Sequence, residues 1–201
     1  MKENLKLGII LGIITSIAGL FLGFASNLTK DVIAENSKLN KEDLALVMPL
    51  ATYVEDTDKA LEGNIIEVLE GKNASESIGY LFNVTAKGFH GAINLMIGIS
   101  NDGKLTGIKV ISHTETPGLG SKIDHESFTS RFKEITTDKG VSIIKTTPVN
   151  ENEVEGVSGA TISSKAVGSA VNDAINYFRV NIQGKVPIED NEPDTTSGAT
   201  E

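Results

Sequence analysis

The stretch GYLFNVTAKGFHGAINLMIGISNDGKLTGIKVIS, residues 79–112, carries the strongest fold signal in the chain. Apolar and polar residues alternate through Gly79–Lys87, and Gly88 and Gly91 punctuate the segment after it. Ala92–Ser100 is a second apolar run, Asn101-Asp102-Gly103 has the composition of a hairpin turn, and Leu105–Ser112 answers as the partner strand. Alternation with period two, broken by a glycine-bearing turn, is the pattern of antiparallel strands, because glycine accepts the positive φ that tight hairpins need. Further along, from Ser163, apolar side chains recur at Val167, Ala170, Val171, Ala174, Ile175 and Phe178. That spacing places them on one stripe of a helix laid against a sheet. The two patterns predict an α+β domain in which an antiparallel sheet is packed by helices.

On either side of these patterns the signals are weaker. Asp124–Lys133 reads as a short amphipathic helix with Phe128, Phe132 and Ile123 toward the core, and Val141–Thr147 as a strand ended by Pro148. Upstream, Lys30–Val47 reads as a helix that stops before Pro49, since the residue before a proline is pushed out of the α region. Ile65–Leu69 is expected as an edge strand and Gly71–Ser77 as a loop. The Gly-, Pro- and acid-rich residues 184–201 read as a disordered tail.

Residues 7–29 carry no charge. An apolar run from Leu7 to Leu28 is long enough for a helix crossing a hydrocarbon core of about 30 Å. The hydroxyls of Thr15 and Ser16 are tolerated there because they bond back to helix carbonyls. Lys2 and Lys6 precede the run and are expected to stay cytoplasmic, which places the chain from residue 30 onward outside. A cleaved signal peptide ending at Gly23-Phe24-Ala25 is the rival reading, and a buried core helix is a third; the length of the run favours the retained span over a signal-peptide core of about 7–15 residues. The expected organisation is therefore a transmembrane anchor over 1–29, a folded domain over 30–183 and an acidic tail over 184–201.

Composition narrows the chemistry. The chain carries 18 Lys+Arg against 27 Asp+Glu, a formal charge of −9, with Lys2, Lys6 and Lys30 against Glu3 in its first thirty residues. An acidic exterior repels phosphate backbones, which excludes nucleic acid as a partner. Absence of cysteine excludes disulfides, thiolate metal sites, iron–sulfur ligation and cysteine nucleophiles. His90, His113 and His125 do not make a metal site by themselves, so no metal ligands and no catalytic acid–base residues are assigned.

Two glycine-bearing segments remain. His113–Lys122 (HTETPGLGSK) joins a strand to a helix, with Pro117 fixing one φ and Gly118 and Gly120 allowing close approach. It reads either as an ordinary connection or as a stiff loop offering Glu115, Thr116 and Leu119 to a ligand. Glu155–Ser164 (EGVSGATISS) opens the last helix. A helix N-terminus presents unpaired N–H donors and partial positive charge, so Ser158, Thr161, Ser163 and Ser164 serve either as caps or as an anion site. From the residues alone, capping and anion binding stay open together. Lys165 stands within reach of such an anion or is a solvated surface charge.

Glu115-Thr116-Pro117-Gly118-Leu119-Gly120 followed by Val157-Ser158-Gly159-Ala160-Thr161-Ile162-Ser163-Ser164, behind one apolar span and the hairpin of residues 79–112, resembles the FMN-binding domain family of membrane redox pumps. The G subunit of the Rnf complex is the nearest form, and the C subunit of the Na+-pumping NADH:quinone oxidoreductase is similar. The resemblance implies FMN held by a phosphoester on Thr161 and installed by a flavin transferase. Ser158, Gly159 and Ala160 would line the phosphate, and Glu115, Thr116, Gly118 and Leu119 would contact the ring. It implies an electron-carrying component of an ion-translocating ferredoxin:NAD oxidoreductase, single-pass in the cell membrane, extracytoplasmic in bulk and partnered by the complex's other membrane subunits. A membrane-tethered small-ligand-binding module and a structural anchor protein are the alternatives of other classes. Glu155 stands where the family's acceptor motif carries Asp. The tail repeats the motif at Asp194-Thr195-Thr196-Ser197-Gly198-Ala199-Thr200 with no apolar stripe behind it; Thr161 is the expected acceptor and Thr200 is not.

Overall fold

The computed structural model describes residues 41–188, together with 11–12, 15–16 and 19–20. These last pairs are helical, and the Thr15 hydroxyl donates to the carbonyls of Leu11 (3.0 Å) and Gly12 (3.1 Å). Among the described residues no helix is long and apolar enough to cross a membrane. Apart from those three pairs the expected span, together with the start of the Lys30–Val47 helix and residues 189–201, lies outside them.

Helix α1 (Lys41–Val47) precedes five strands: β1 (Tyr53–Asp56), β2 (Ile65–Asn73), β3 (Glu76–Lys87), β4 (Ala92–Ser100) and β5 (Leu105–His113). They form one sheet in the order β1-β2-β3-β4-β5, antiparallel throughout. The central hairpins agree with the alternation in the sequence, and Gly103 supplies the expected positive φ (80°) after β4. Two expectations are corrected on the β2 side. Ile65–Leu69 belongs to a strand that is not the last of the sheet: β1 pairs with the second half of β2, from Tyr53↔Lys72 to Asp56↔Leu69, so within the expected edge segment only Leu69 has a β1 partner. Gly71–Ser77 is not a loop: β2 runs to Asn73 and β3 starts at Glu76, turning at Ala74 with φ 54°. The strand Tyr-Val-Glu-Asp is mostly exposed, with no buried alternation to announce it, as suits a charged edge strand.

After β5 the chain makes a 3-10 turn over Gly120–Asp124, a one-turn helix α2 (Glu126–Thr129) and a second 3-10 turn over Ser130–Phe132. The single helix expected over 124–133 is thus broken. His125 is extended (φ −72°, ψ 143°), yet Ile123, Phe128 and Phe132 are all buried as their spacing requires. The strand expected over 141–147 is shorter: β6 (Ser142–Ile144) pairs in parallel with β7 (Glu153–Glu155) as a separate two-stranded sheet. Helix α3 (Thr161–Tyr177) comes next and continues as a π-helical turn over Phe178–Ile182. Its stripe, Val167, Ala170, Val171, Ala174, Ile175 and Phe178, is at most 1% exposed and packs with Phe82, Val84, Ile93, Leu95, Ile97 and Ile99 of the sheet. Residues 184–188 of the expected tail return along this helix: the Ile188 N–H donates to Asn176 Oδ1 (2.8 Å) and Arg179 Nε to the Val186 carbonyl (3.0 Å).

The opposite face of the sheet holds a furrow. Gly71, Gly79, Gly98 and Gly107, one from each of β2 to β5, leave room for residues 46–48. A Cβ at Gly71 would meet Met48 Sδ at 2.3 Å, one at Gly98 the Val47 carbonyl oxygen at 2.4 Å, and one at Gly107 the Leu46 carbonyl oxygen at 2.5 Å. The Thr106 hydroxyl donates to that same Val47 carbonyl, and Lys109 pairs with Asp43. Leu44, Val47 and Met48 are buried as a result. Overpacking of this kind costs about 1–3 kcal/mol. Gly98→Ala is therefore expected to lower the thermal midpoint by several degrees and to open residues 42–48 to proteolysis; an unchanged midpoint would show that the furrow does not hold the segment.

Candidate functional site

Packing α3 on the sheet brings its first turn beside two other segments, the β3–β4 turn and the loop after β5. Phe89 from the turn, Glu115, Thr116, Leu119 and Gly120 from the loop, and residues 159–163 line one cavity of about 320 Å³. The two segments singled out in the sequence thus meet, 48 positions apart at Glu115 and Ser163. Among the expected site residues, Thr161, Gly159, Ala160, Glu115, Thr116 and Leu119 line the cavity. Ser158 and Gly118 do not line it; both are exposed on its flanking turns.

The four hydroxyls of the acceptor segment divide into two roles. Ser164 is fully buried; its Oγ accepts from the Val157 N–H (2.9 Å) and donates to the Ala160 carbonyl (2.9 Å), clipping the turn shut. Ser163 Oγ donates to Glu115 Oε2 (2.5 Å). Thr161 and Ser158 have no hydrogen-bond partner among the described residues. The side-chain capping reading is corrected: the N-cap is Ala160, with no side-chain cap. Gly159 turns the chain with φ 80°, which seats Thr161 as the first helical residue, partly exposed and on the cavity wall. The N–H groups of Thr161, Ile162 and Ser163 find no acceptor among the described residues, so donors and the helix's partial positive charge face the same space. Lys165 is exposed and stands off the wall, and Glu155 is engaged by Arg131, whose Nη1 donates to the Glu155 carbonyl (2.6 Å).

Glu115 is the buried charge of the site, 5% exposed. Burial by itself would raise its pKa, but hydrogen bonds from Ser163 and from the backbone N–H groups of His90 and Phe89, with the nearby His90 imidazole, outweigh it and hold the carboxyl below its ordinary value. Thr116 Oγ1 contacts His90 Nδ1 (3.1 Å), which ties the loop to the β3–β4 turn, and the Glu115 N–H donates to His113 Nδ1 (3.2 Å), which ties the loop to the end of β5. Sequence reasoning missed Phe89 and Ile162 on the wall. Only the folded chain marks them, as large apolar side chains left exposed (61% and 52%); Leu119, at 48%, is the third. Among the described residues no group of His, Asp and Glu is arranged to hold a metal ion.

Residues 88–176 match the FMN-binding domain family, a range that spans every residue of the cavity wall. The chain is 33% identical over 197 residues to the G subunit of the Na+-translocating ferredoxin:NAD+ oxidoreductase complex of Acetobacterium woodii, covering 89% of this chain and 93% of that one. The chain belongs to the G-subunit family of ion-translocating oxidoreductase complexes. A second relative, the G subunit of the proton-translocating ferredoxin:NAD+ oxidoreductase complex of Clostridium ljungdahlii, is 30% identical and covers 84% of this chain and 88% of its own. The crystal structure of the C subunit of the Na+-translocating NADH-quinone reductase of Parabacteroides distasonis overlaps 55% of this chain and 59% of that one, at 26% identity and a TM-score of 0.49.

The cavity fits the cofactor of this G-subunit family. FMN needs an apolar cleft for a planar ring and donors for a phosphate. Phe89, Leu119 and Ile162 supply the first, and the open N–H groups at the start of α3 supply the second.

The depressed pKa of Glu115 makes a stability prediction. A carboxylate whose folded pKa lies below its unfolded value stabilises the fold above the unfolded value of about 4.5, and that contribution is lost as pH falls through the folded pKa. Replacing charged hydrogen bonds by neutral ones costs about 1–2 kcal/mol. Glu115→Gln is expected to unfold at a lower temperature than the wild type at pH 7, with the gap closing as the pH is brought below 4.5. A gap independent of pH would show that Glu115 is not ionised in the fold.

Proposed function

We propose that this protein relays electrons through FMN esterified to Thr161, as the flavin-bearing subunit of an ion-translocating ferredoxin:NAD oxidoreductase complex in the cell membrane. The observation that carries the reading is Thr161 itself: a hydroxyl without a partner among the described residues, first in its helix, on the wall of the cavity that joins the two glycine-bearing segments. A phosphodiester there keeps one negative charge, and the start of a helix stabilises such a charge by about 0.3–1 kcal/mol. Forming the Thr161 Oγ1–phosphorus bond would break the phosphorus–oxygen bond of a pyrophosphate ester of FMN, with the nucleoside monophosphate leaving and the hydroxyl proton released, work that falls to a flavin transferase. Gly159 and Ala160 present no side chain beyond a methyl group, so the transferase and the phosphate reach Oγ1 past the turn. Ser158, exposed on the turn before Thr161, would stand on the approach to the same phosphate.

When bound, FMN supplies the one- and two-electron chemistry; the protein positions it and tunes it. Phe89, Leu119 and Ile162 would give the ring its apolar walls, and Thr116 would border it from the loop after β5, whose turn Gly118 makes with a positive φ of 76°. The apolar run of residues 7–28 anchors residues 1–29 as a single transmembrane helix, and the domain from residue 30 onward lies outside the cytoplasm, held to the membrane beside the complex's other subunits. The names of the relatives support the complex and differ over the coupling ion, Na+ in one and the proton in the other.

Co-expression with a flavin transferase tests the site. The intact chain is expected to gain one FMN mass and covalent flavin fluorescence, both lost in Thr161→Ala with the fold retained; one addition that survives Thr161→Ala and vanishes in Thr200→Ala would move the acceptor to the tail. The topology has its own test: in intact cells a membrane-impermeant amine reagent is expected to label lysines from Lys41 to Lys185. Protection of those lysines until the cells are broken would place the domain in the cytoplasm.

A further inference from the structure

Glu115 is more heavily constrained than a ring contact requires. Its carboxylate lines the cavity but is 5% exposed, and it draws donors from two other segments: Ser163 Oγ at 2.5 Å from the first turn of α3 and the His90 N–H at 3.0 Å from the β3–β4 turn. The space it occupies is reserved by two glycines. A Cβ at Gly88 would stand 2.4 Å from its Oε1, and one at Gly120 would stand 2.8 Å from its Cβ and 3.0 Å from its Oε2. Among the described residues no lysine or arginine lines the cavity, so Glu115 is its one formal charge there. The hydrogen bonds that surround it stabilise the ionised form, which keeps this charge in place at neutral pH.

We propose that Glu115 is a positioning residue that also fixes a negative charge behind the electron-accepting group, making that group harder to reduce. This rests on the reading of the cavity as the FMN site. Adding an electron to a group beside a buried anion is opposed by a Coulomb interaction that water does not screen, and charge close to a flavin is one of the means by which a protein sets its potential. The hydrogen bonds hold the carboxylate against the wall, so the charge cannot swing away as electrons arrive.

Glutamine separates charge from geometry. Its carbonyl oxygen accepts from the His90 and Phe89 N–H groups, and its amide donates to Ser163, whose hydroxyl accepts as readily as it donates. The full-length chain, loaded with FMN by co-expression, is titrated for its midpoint potential as wild type, Glu115→Gln and Ser163→Ala. The expected result is a higher potential in Glu115→Gln and none higher in Ser163→Ala, which loses a hydrogen bond but keeps the charge. An unchanged or lower potential in Glu115→Gln, or an equal rise in both variants, overturns the proposal. Should Glu115→Gln fail to load, Glu115→Asp decides. Loading and a wild-type-like potential in the aspartate variant support the charge; failure of both variants overturns it. A wild-type chain that takes up no flavin overturns the functional reading and this one together, whereas a loaded chain with an insensitive potential overturns this one alone.

Discussion

Burial of one stripe of α3 against the sheet sets the position of everything else in the domain. Each of Val167, Val171, Ile175 and Phe178 is essentially fully buried, and such side chains contribute about 1.5–3 kcal/mol apiece. The helix cannot slide or rotate without exposing them. Its first turn is therefore fixed at the end of the sheet where the β3–β4 turn and the loop after β5 emerge, and a cavity forms where three segments distant in sequence converge. Chemistry at the start of α3 is thus a consequence of packing farther along it.

The second face of the sheet is closed differently. Helix α3 meets large side chains, but residues 46–48 lie in a furrow cut by glycines, with the backbone of one segment against the backbone of the strands. Contact at that distance admits no Cβ, and the bonds from Thr106 and Lys109 fix the register. The segment that enters the domain from its N-terminal side is held on the sheet from Asp43 onward. A domain that carries a redox group gains from this, because electron transfer depends on fixed distances.

Within the site, hydroxyls of one chemical type perform separate tasks according to burial. Ser163 and Ser164 are sealed in and use their hydrogen bonds to hold shape, one toward Glu115 and one across the 157–160 turn. Ser158 and Thr161 stay outside that network, and of the two only Thr161 lines the cavity. The partial positive charge of the helix start and the negative charge of Glu115 border the same cavity and meet at Ser163, whose hydroxyl donates to that carboxylate from the first turn of the helix.

Periodic and local signals were legible in the linear chain. Alternation through residues 79–112, the stripe from Val167 to Phe178 and the glycine turn at Gly103 could be read directly, because a strand and a helix repeat their apolar positions at different intervals. Thr161 and the loop around Glu115 were legible as motifs. Three things came only with the folded chain: which strand lies at the edge, where the 124–133 helix breaks, and which hydroxyls are free. The strand Tyr53–Asp56 exists only as a partner for β2, and the extended His125 interrupts a pattern that was otherwise helical. Ser163 and Thr161 lie in one short run of similar residues and both line the cavity, and nothing in that run says that one is buried at 2% exposure and bonded to Glu115 while the other is partly exposed with its hydroxyl free of any partner among the described residues. Hydrogen bonds between segments 48 positions apart form only after α3 has docked, and a linear pattern carries no record of a partner that packing brings near.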